Sequence, residues 1–403
     1  MHPRHRSVVE HQTVGLAADL DHLVDRGTKR HLARTAYLDL VSHEHMTATT
    51  QPGYASNPVT PCHLIRQVRV SAPSTIDDRI RAAIAAAGAS EPLRISDHLR
   101  SGRNQIFNVA GAGRSWIAKR TASPAEAWFA TTIGPGVQWV APSVAVEDPH
   151  LVITERIDEC PTAHQLSATD PHAALDTLAS LAGPLAELHA WPTGDDAPQS
   201  TAALPELDPI HIGALIDSTE PARELLRRLH RRDALRSAMR ATYAAEGPAG
   251  LIHGDLKIDN VLCTPRTPTI IDWELCGIGP LAWDLGSVVG SMLAMWIDSA
   301  DLTRSGPAAW LAAAAVPYAE VNAAARRFMG TYQDAYAERA PDPQTIAAAA
   351  ATWLVARSWA ESLQRLTIDP RLLLRLVVAE GAALRPTRLL GDRLPTARSH
   401  AAG

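Results

Sequence analysis

Lysine is nearly missing from this 403-residue chain. Of its 38 Lys and Arg residues only three are lysines: Lys29, Lys119 and Lys257. Heavy use of Ala, Arg and Pro accompanies this scarcity, the mark of a GC-rich coding bias under which Arg takes over wherever positive charge alone is needed. A lysine that persists under such a bias points to chemistry done by a compact ammonium and not by a planar guanidinium, contact with a phosphate above all. Cysteine is scarce too. Cys62, Cys160, Cys263 and Cys276 are spread out without a CxxC pair, which argues against a disulfide framework or zinc site and for reduced thiols in a cytoplasmic protein. No apolar run approaches the length that crosses a bilayer, and the first residues are rich in His and Arg rather than signal-like, so no membrane partner is expected. Charge of one sign is also lacking: a formal net charge of -5 sets nucleic-acid binding aside. What is present is 46% apolar residues, enough over this length for two or three units with real cores.

Residues 1–73 read as an extension, expected to be partly disordered. Seven of the 17 histidines precede Met46, and Thr-, Pro- and Ser-rich sequence follows. His43 and His45 lack the Cys or acidic spacing of a metal site and read as surface residues. From Ser74-Thr75-Ile76-Asp77-Asp78 a capped helix runs through Ile80, Ala83, Ile84 and Ala87 to Gly88. Two short apolar segments around Gly102, then a third at Ser115-Trp116-Ile117-Ala118-Lys119 after Gly111-Ala112-Gly113, predict three antiparallel strands. Pro124 to Ile133 reads as a helix carrying Glu126. Leu151-Val152-Ile153 is a strand that runs into a hinge at Thr154-Glu155-Arg156. Beyond it the pattern is helical: one helix from Asp170-Pro171 to His189, a Pro/Asp/Gly-rich loop over 193–210, a helix over 220–245 and helical stretches over 285–380. The expected organisation is an α+β chain with an extension (1–73), a small β-rich lobe (74–155) and a large α-rich lobe (156–403).

The segment His253-Gly254-Asp255-Leu256-Lys257-Ile258-Asp259-Asn260-Val261-Leu262-Cys263, followed by Thr269-Ile270-Ile271-Asp272-Trp273-Glu274, carries the chemistry. Val261–Cys263 and Thr269–Ile271 are two β segments joined by a hairpin-type loop. If Cys263 pairs with Thr269, Asn260 lies opposite Asp272, with Cα atoms about 4.5–5.5 Å apart. An amide oxygen and a carboxylate then converge on one point, as a hard cation such as Mg²⁺ requires. Asp255 sits in the turn leading into the hairpin, within reach of a substrate held beside the metal. Each residue alone reads as an ordinary cap or turn; the spacing of the whole set is what is improbable.

His-Gly-Asp-Leu-Lys-Ile-Asp-Asn with a downstream Ile-Ile-Asp-Trp-Glu resembles the aminoglycoside phosphotransferase and choline kinase family, relatives of the protein kinases, over about 93–290. The resemblance implies a protein-kinase-like two-lobed fold with a small antiparallel-sheet lobe. It implies an ATP- and Mg²⁺-dependent phosphotransferase that moves the γ-phosphate of ATP onto a hydroxyl of a small molecule, a metabolite or an antibiotic. On that resemblance Asp255 is the catalytic base, Asn260 and Asp272 hold magnesium, and Lys119 paired with Glu126 contacts the α/β-phosphates. His253 braces the loop. Asp284, in Gly279-Pro280-Leu281-Ala282-Trp283-Asp284, accepts hydrogen bonds from the loop backbone. Gly102 and Asn104 occupy the phosphate-covering turn, which lacks a full glycine-rich signature, and Glu155 at the hinge counts among the nucleotide contacts. Lys257 stands where an ammonium meets charge developing on the transferring phosphoryl group. Glu274 either assists a second metal ion or is a surface acid.

Two other readings stay open: a Ser or Thr of a ribosomally made peptide as acceptor, and a non-catalytic nucleotide-binding relative. The second usually loses the base, a metal ligand or the lysine, and all three are kept here. From 281 to the end, twelve Arg stand against eleven acidic residues, so no acidic patch awaits a polycationic aminoglycoside.

Overall fold

In a computed structural model of the chain, the described residues are 75–390 without 89–91, 102–103, 112, 145, 147, 158–159, 203–206, 208–209, 211 and 245–246. The extension 1–73 and Gly102 of the expected phosphate-covering turn therefore lie outside the described residues.

Thr75 opens α1 (Ile76–Ala86). Its hydroxyl accepts from the Asp78 N–H at 3.2 Å and the Asp78 carboxylate accepts the Thr75 N–H at 3.0 Å, which satisfies two backbone donors that the first turn leaves unpaired. Ile80 and Ile84, one turn apart on one face, are fully buried against a five-stranded antiparallel sheet. Its strands are β1 (Arg94–Ser101), β2 (Asn104–Gly111), β3 (Arg114–Arg120), β4 (Ser143–Val144) and β5 (Leu151–Glu155), in the order β1-β2-β3-β5-β4. The three strands expected from the sequence are its first three. Alternation sends Trp116 and Ala118 into the core with Phe107, Val109 and Ile153, and leaves Ile117 and Lys119 on the opposite face. There Lys119 has Ile106 and Val152 as its cross-strand neighbours.

Between β3 and β4 comes α2 (Ala125–Thr132). Its Ala125 and Phe129 pack into the larger, second core, which the helices share. After β5 follow α3 (Ala163–Thr169), α4 (Pro171–Ser180), α5 (Ala182–Ala190), α6 (Ile212–Ile216), α7 (Glu220–Leu229) and α8 (Asp233–Tyr243). The single helix expected over 170–189 is thus two. Pro184 has no N–H and its ring crowds the carbonyl four residues back, so the chain breaks at Leu181, whose N–H bonds only three residues back to Leu178 at 3.3 Å. The helix expected over 220–245 is also two. Arg227 and Arg228 close the first and Asp233 opens the second, each charge matching the helix end it sits on.

Two small hairpins follow, built from β6 (Ala249–Ile252), β7 (Val261–Leu262), β8 (Thr269–Ile270) and β9 (Gly277–Pro280), with β6 pairing β9 and β7 pairing β8. The rest is helical: α9 (Leu281–Asp298), α10 (Pro307–Ala312), α11 (Tyr318–Ala335), α12 (Pro343–Ser362), α13 (Pro370–Leu384) and α14 (Pro386–Leu390). Every residue of α9 from Leu281 to Ile297 is buried, as expected of a helix apolar all round. Gly286 and Gly290 let α12 lie close against it. A Cβ on Gly286 would meet the Ala349 Cβ at 2.5 Å, and one on Gly290 would meet the Trp353 ring at 2.7 Å. This contact fixes which face of α12 looks toward the sheet. An antiparallel sheet followed by a mainly helical mass is the kinase-like two-lobed arrangement that the sequence resemblance implies. No helix among the described residues is long and apolar enough to cross a membrane.

Candidate active site

Strand β6 ends in the turn that carries the candidate base. Gly254 there has φ of +84°, and a Cβ on it would lie 2.4 Å from the Leu275 carbonyl, so the turn needs glycine on both counts. Asp284, at the start of α9 and fully buried, accepts the His253 N–H at 2.7 Å and the Gly254 N–H at 3.0 Å. Trp283 Nε1 donates to the Gly254 carbonyl at 2.8 Å. Burial works against charge on Asp284, but hydrogen bonding and charge from His189 and His253 outweigh it and hold the carboxyl below its ordinary value. His253 is buried, with Nε2 3.0 Å from the Ile271 carbonyl and Nδ1 accepting the Asp255 N–H at 3.2 Å. Its ring thus spans the two motif segments, a bracing position without access to solvent.

Asp255 emerges from this frame. Lys257 Nζ donates to its Oδ2 at 2.5 Å, and Asn260 Nδ2 donates to its carbonyl at 2.9 Å. With its amide nitrogen so engaged, the Asn260 side chain has its Oδ1 left for a ligand. The register between the motif segments differs from the sequence expectation. Val261 pairs with Ile270 and Leu262 with Thr269, and the Asn260 carbonyl accepts from Ile271 N–H at 3.0 Å. Asn260 therefore faces Ile271, not Asp272. The cause is a tertiary contact: Cys263 N–H leaves the hairpin for the Pro161 carbonyl at 2.9 Å. Asp272 still lines the cleft with Asn260 and Asp255, because its backbone turns left-handed there, with φ of 69°, alone among the described non-glycine residues. Such a conformation costs on the order of 1 kcal/mol or more and concentrates at functional sites.

Across the cleft, Lys119 on β3 sits among three carboxylates: Glu126 of α2 at 2.9 Å, Glu274 at 3.2 Å, and Asp272 in direct contact. Burial opposes its charge, but Glu126 and Asp272 outweigh burial and hold the ammonium above the usual lysine range. Burial would likewise raise Asp272, yet Lys119 keeps it below the ordinary carboxylate value. Glu126 is raised, by burial first and by Asp272 and Glu274 beside it, with Lys119 offsetting only part. Carboxylate oxygens of Glu126, Asp272 and Glu274 all lie within 4.8 Å of one another. Asn104, at the start of β2, hydrogen-bonds Glu274. Glu155 also lines the cleft, its carboxylate 3.2 Å from the Arg114 guanidinium.

The cleft between sheet and helices has a volume of about 1110 Å³. It gathers Asp255, Lys257, Asn260, Asp272, Glu274, Lys119 and Glu126 from four parts of the chain. Hard oxygen donors in this number suit magnesium, and an ammonium beside them suits phosphate.

Several residues enter that the sequence reading passed over. Trp273 stacks on Phe129 of α2 with centroids 3.7 Å apart and planes 6° apart, and its ring lies 4.5 Å from His253. The turn after Asp272 is thereby tied to the helix that carries Glu126. His189, buried at the end of α5, has Nδ1 2.8 Å from the Tyr332 hydroxyl and Nε2 3.6 Å from Asp284. On α12, Trp353, Arg357 and Glu361 line the side of the cleft away from β3. Helical spacing on one face was the available signal for the last three.

Residues 145–342 match the profile of a family described as a phosphotransferase enzyme family. The structure is similar to that of a choline/ethanolamine kinase family protein from Mesorhizobium loti, at 16% identity and a TM-score of 0.45 over 79% of this chain and 99% of that one. It is similar to a spectinomycin phosphotransferase solved with ADP and spectinomycin, at 11% identity and a TM-score of 0.45 over 77% and 98% of the two chains. A choline kinase from Streptococcus pneumoniae matches at 12% identity and a TM-score of 0.41 over 77% and 99%. No curated protein matches the sequence.

Proposed function

Since residues 145–342 place this chain in the phosphotransferase enzyme family, we propose that it transfers the γ-phosphoryl group of ATP to a hydroxyl of a small molecule, with magnesium as the metal. The protein is a kinase of that family, and the convergence of Asp255, Asn260 and Asp272 opposite the Lys119–Glu126 pair is the observation that carries the reading. Asn260, Asp272 and Glu274 would hold magnesium, which when bound neutralises charge on the ATP phosphates. Lys119 binds the α/β-phosphates, oriented by Glu126. Asn104 acts at one remove by fixing Glu274, and Glu155 sits at the hinge where the base of the nucleotide would rest.

Asp255 receives the acceptor's hydroxyl proton. The acceptor oxygen bonds to the γ-phosphorus as the bond to the β-bridging oxygen breaks, and ADP leaves. Lys257, hydrogen-bonded to Asp255, lies beside the charge that moves onto the transferring group. His253 and Asp284 hold the loop so that Asp255 does not have to reorganise during transfer. The small lobe, 74–155, binds nucleotide and the remainder supplies base, metal ligands and acceptor wall. A volume of about 1110 Å³ slightly exceeds the roughly 300–1,000 Å³ of a site for one ligand, which suits a nucleotide with one small acceptor beside it.

Mass spectrometry of ATP-dependent products tests this. Asp255→Asn should cut turnover by about 10²–10⁴-fold with the Mg·ATP-induced rise in Tm retained, while Asp272→Ala should remove that rise as well. Turnover by Asp255→Asn near the wild-type rate would refute the role of the base.

A further inference from the structure

The wall of the cleft opposite the nucleotide side is one stripe of α12. Trp353, Ala356, Arg357, Ala360, Glu361 and Gln364 line it at the three- and four-residue steps that keep side chains on one face of a helix, with Trp359 and Leu363 beside them. Two alanines leave the middle of the wall open, so the long side chains on either side of them decide what can be held there.

Glu361 is the carboxylate on this stripe, and three guanidinium groups already surround it. Its Oε1 lies 3.0 Å from Arg357 Nε and 2.9 Å from Arg375 Nη1, and its Oε2 lies 3.8 Å from Arg365 Nη2. Arg375 approaches from inside the protein. Its side chain is 3% exposed, and its Nη2 reaches both oxygens of Asp298 at 2.7 and 2.9 Å. The negative charge of Glu361 is thus compensated from behind, and an incoming ammonium would find no uncommitted carboxylate on this wall.

Arg357 is also paired with acids, but it keeps donors to spare. Its Nε bonds Glu361 and its Nη1 bonds Asp259 at 3.2 Å, one hydrogen bond to each carboxylate, and its guanidinium sits 5.7 Å from the centre of the Trp353 ring. A guanidinium is donor-only and its planar fork offers further N–H groups beyond these two. With the head over an aromatic ring and tethered on two sides, little side-chain entropy remains to be lost on binding.

We propose that Arg357 reads the acceptor, and that the acceptor alcohol carries a second group with a hydrogen-bond-accepting oxygen, a carboxylate or a carbonyl, rather than an ammonium. This rests on the phosphotransferase reading of the same cleft. Arg375 is a positioning residue that acts through Glu361 and touches no substrate.

The full chain with ATP and Mg²⁺ is assayed on two matched sets of alcohols: glucuronate, glucose and glucosamine, and glycerate, glycerol and serinol. The carboxylate member of at least one set should show kcat/KM at least tenfold above its amine member. Arg357→Gln should raise the KM for that member at least tenfold with kcat changed less than threefold, and Arg357→Lys should restore part of the loss. Glu361→Gln gives a second reading, since it keeps an acceptor for Arg357 but weakens one of its two tethers, and should raise the KM of the carboxylate member less than Arg357→Gln does. Preference for the amine members overturns the inference. So does an unchanged KM in Arg357→Gln, or a Glu361→Gln variant impaired only toward amines. Phosphorylation of no member, with the Mg·ATP-induced rise in Tm intact, overturns it too. Failure of the underlying reading looks different, because Mg·ATP would then raise the Tm of the wild-type chain not at all.

Discussion

Asp284 shows how a single side chain holds the site together. It is completely buried and accepts two backbone N–H groups from the turn that carries Asp255. An amide in its place would set an NH₂ or a weaker acceptor against those donors, and a buried unsatisfied donor costs about 1–3 kcal/mol. The pH dependence follows from the direction of its shift. Its folded-state value lies below the 3.8 of a free aspartate, so the unfolded chain binds the proton more readily. The stabilisation is fully present above that value and is lost as pH falls through the folded one. Asp284→Asn should therefore lower Tm at pH 7 and flatten its fall between pH 5 and 3, read by thermal unfolding across that range. At this scale much was legible from sequence. Lys119 stands out because lysine is so rare, and Asp255, Asn260 and Asp272 announce themselves by spacing. His189 and Arg357 do not, because the partners that give them meaning, Asp284 and Tyr332 for one and Asp259 for the other, are distant in sequence and adjacent only in the fold.

Among elements, the close approach of α9 and α12 positions the face of α12 that lines the cleft. A methyl on Gly286 must displace the Ala349 backbone or Cβ, which lie 2.5–2.8 Å from where it would sit. Overpacking of this kind costs roughly 1–3 kcal/mol. Gly381 in α13 is also helical, but a Cβ there meets nothing within 4 Å, and replacing a helical glycine by alanine stabilises by about 0.5–1 kcal/mol. Chemical denaturation should separate the two in sign: Gly286→Ala unfolds at lower urea than wild type and Gly381→Ala at higher. The element types were readable from apolar periodicity, and the reading failed where another part of the chain intervenes. Pro184 divides a helix whose leucine spacing continues on both sides of it. Cys263 is drawn to Pro161, which moves the hairpin register by one residue, and the left-handed turn at Asp272 then returns that carboxylate to the cleft. Strands of two residues, such as β7 and β8, carry too little pattern to fix register alone.

For the molecule as a whole, the family match spans 145–342, whereas the motif reading began near 93. The sheet's first strands are recognisable by their alternation and turns, features that many sequences share. Every proposed nucleotide contact among the described residues lies at Asn104 or beyond, so removal of residues 1–70 should leave the Mg·ATP-induced rise in Tm within error of the full chain. Since that rise grows with ligand concentration over Kd, a titration will expose even a modest loss of affinity. The stack of Phe129 on Trp273, both nearly inaccessible to solvent, has a consequence for control. In protein kinases the helix that bears the glutamate partner of the lysine can swing away, and that swing is a switch. Here the corresponding helix is fastened by an aromatic pair to the turn that bears Asp272, so displacing one displaces both, at the cost of buried ring surface as well as the stacking itself.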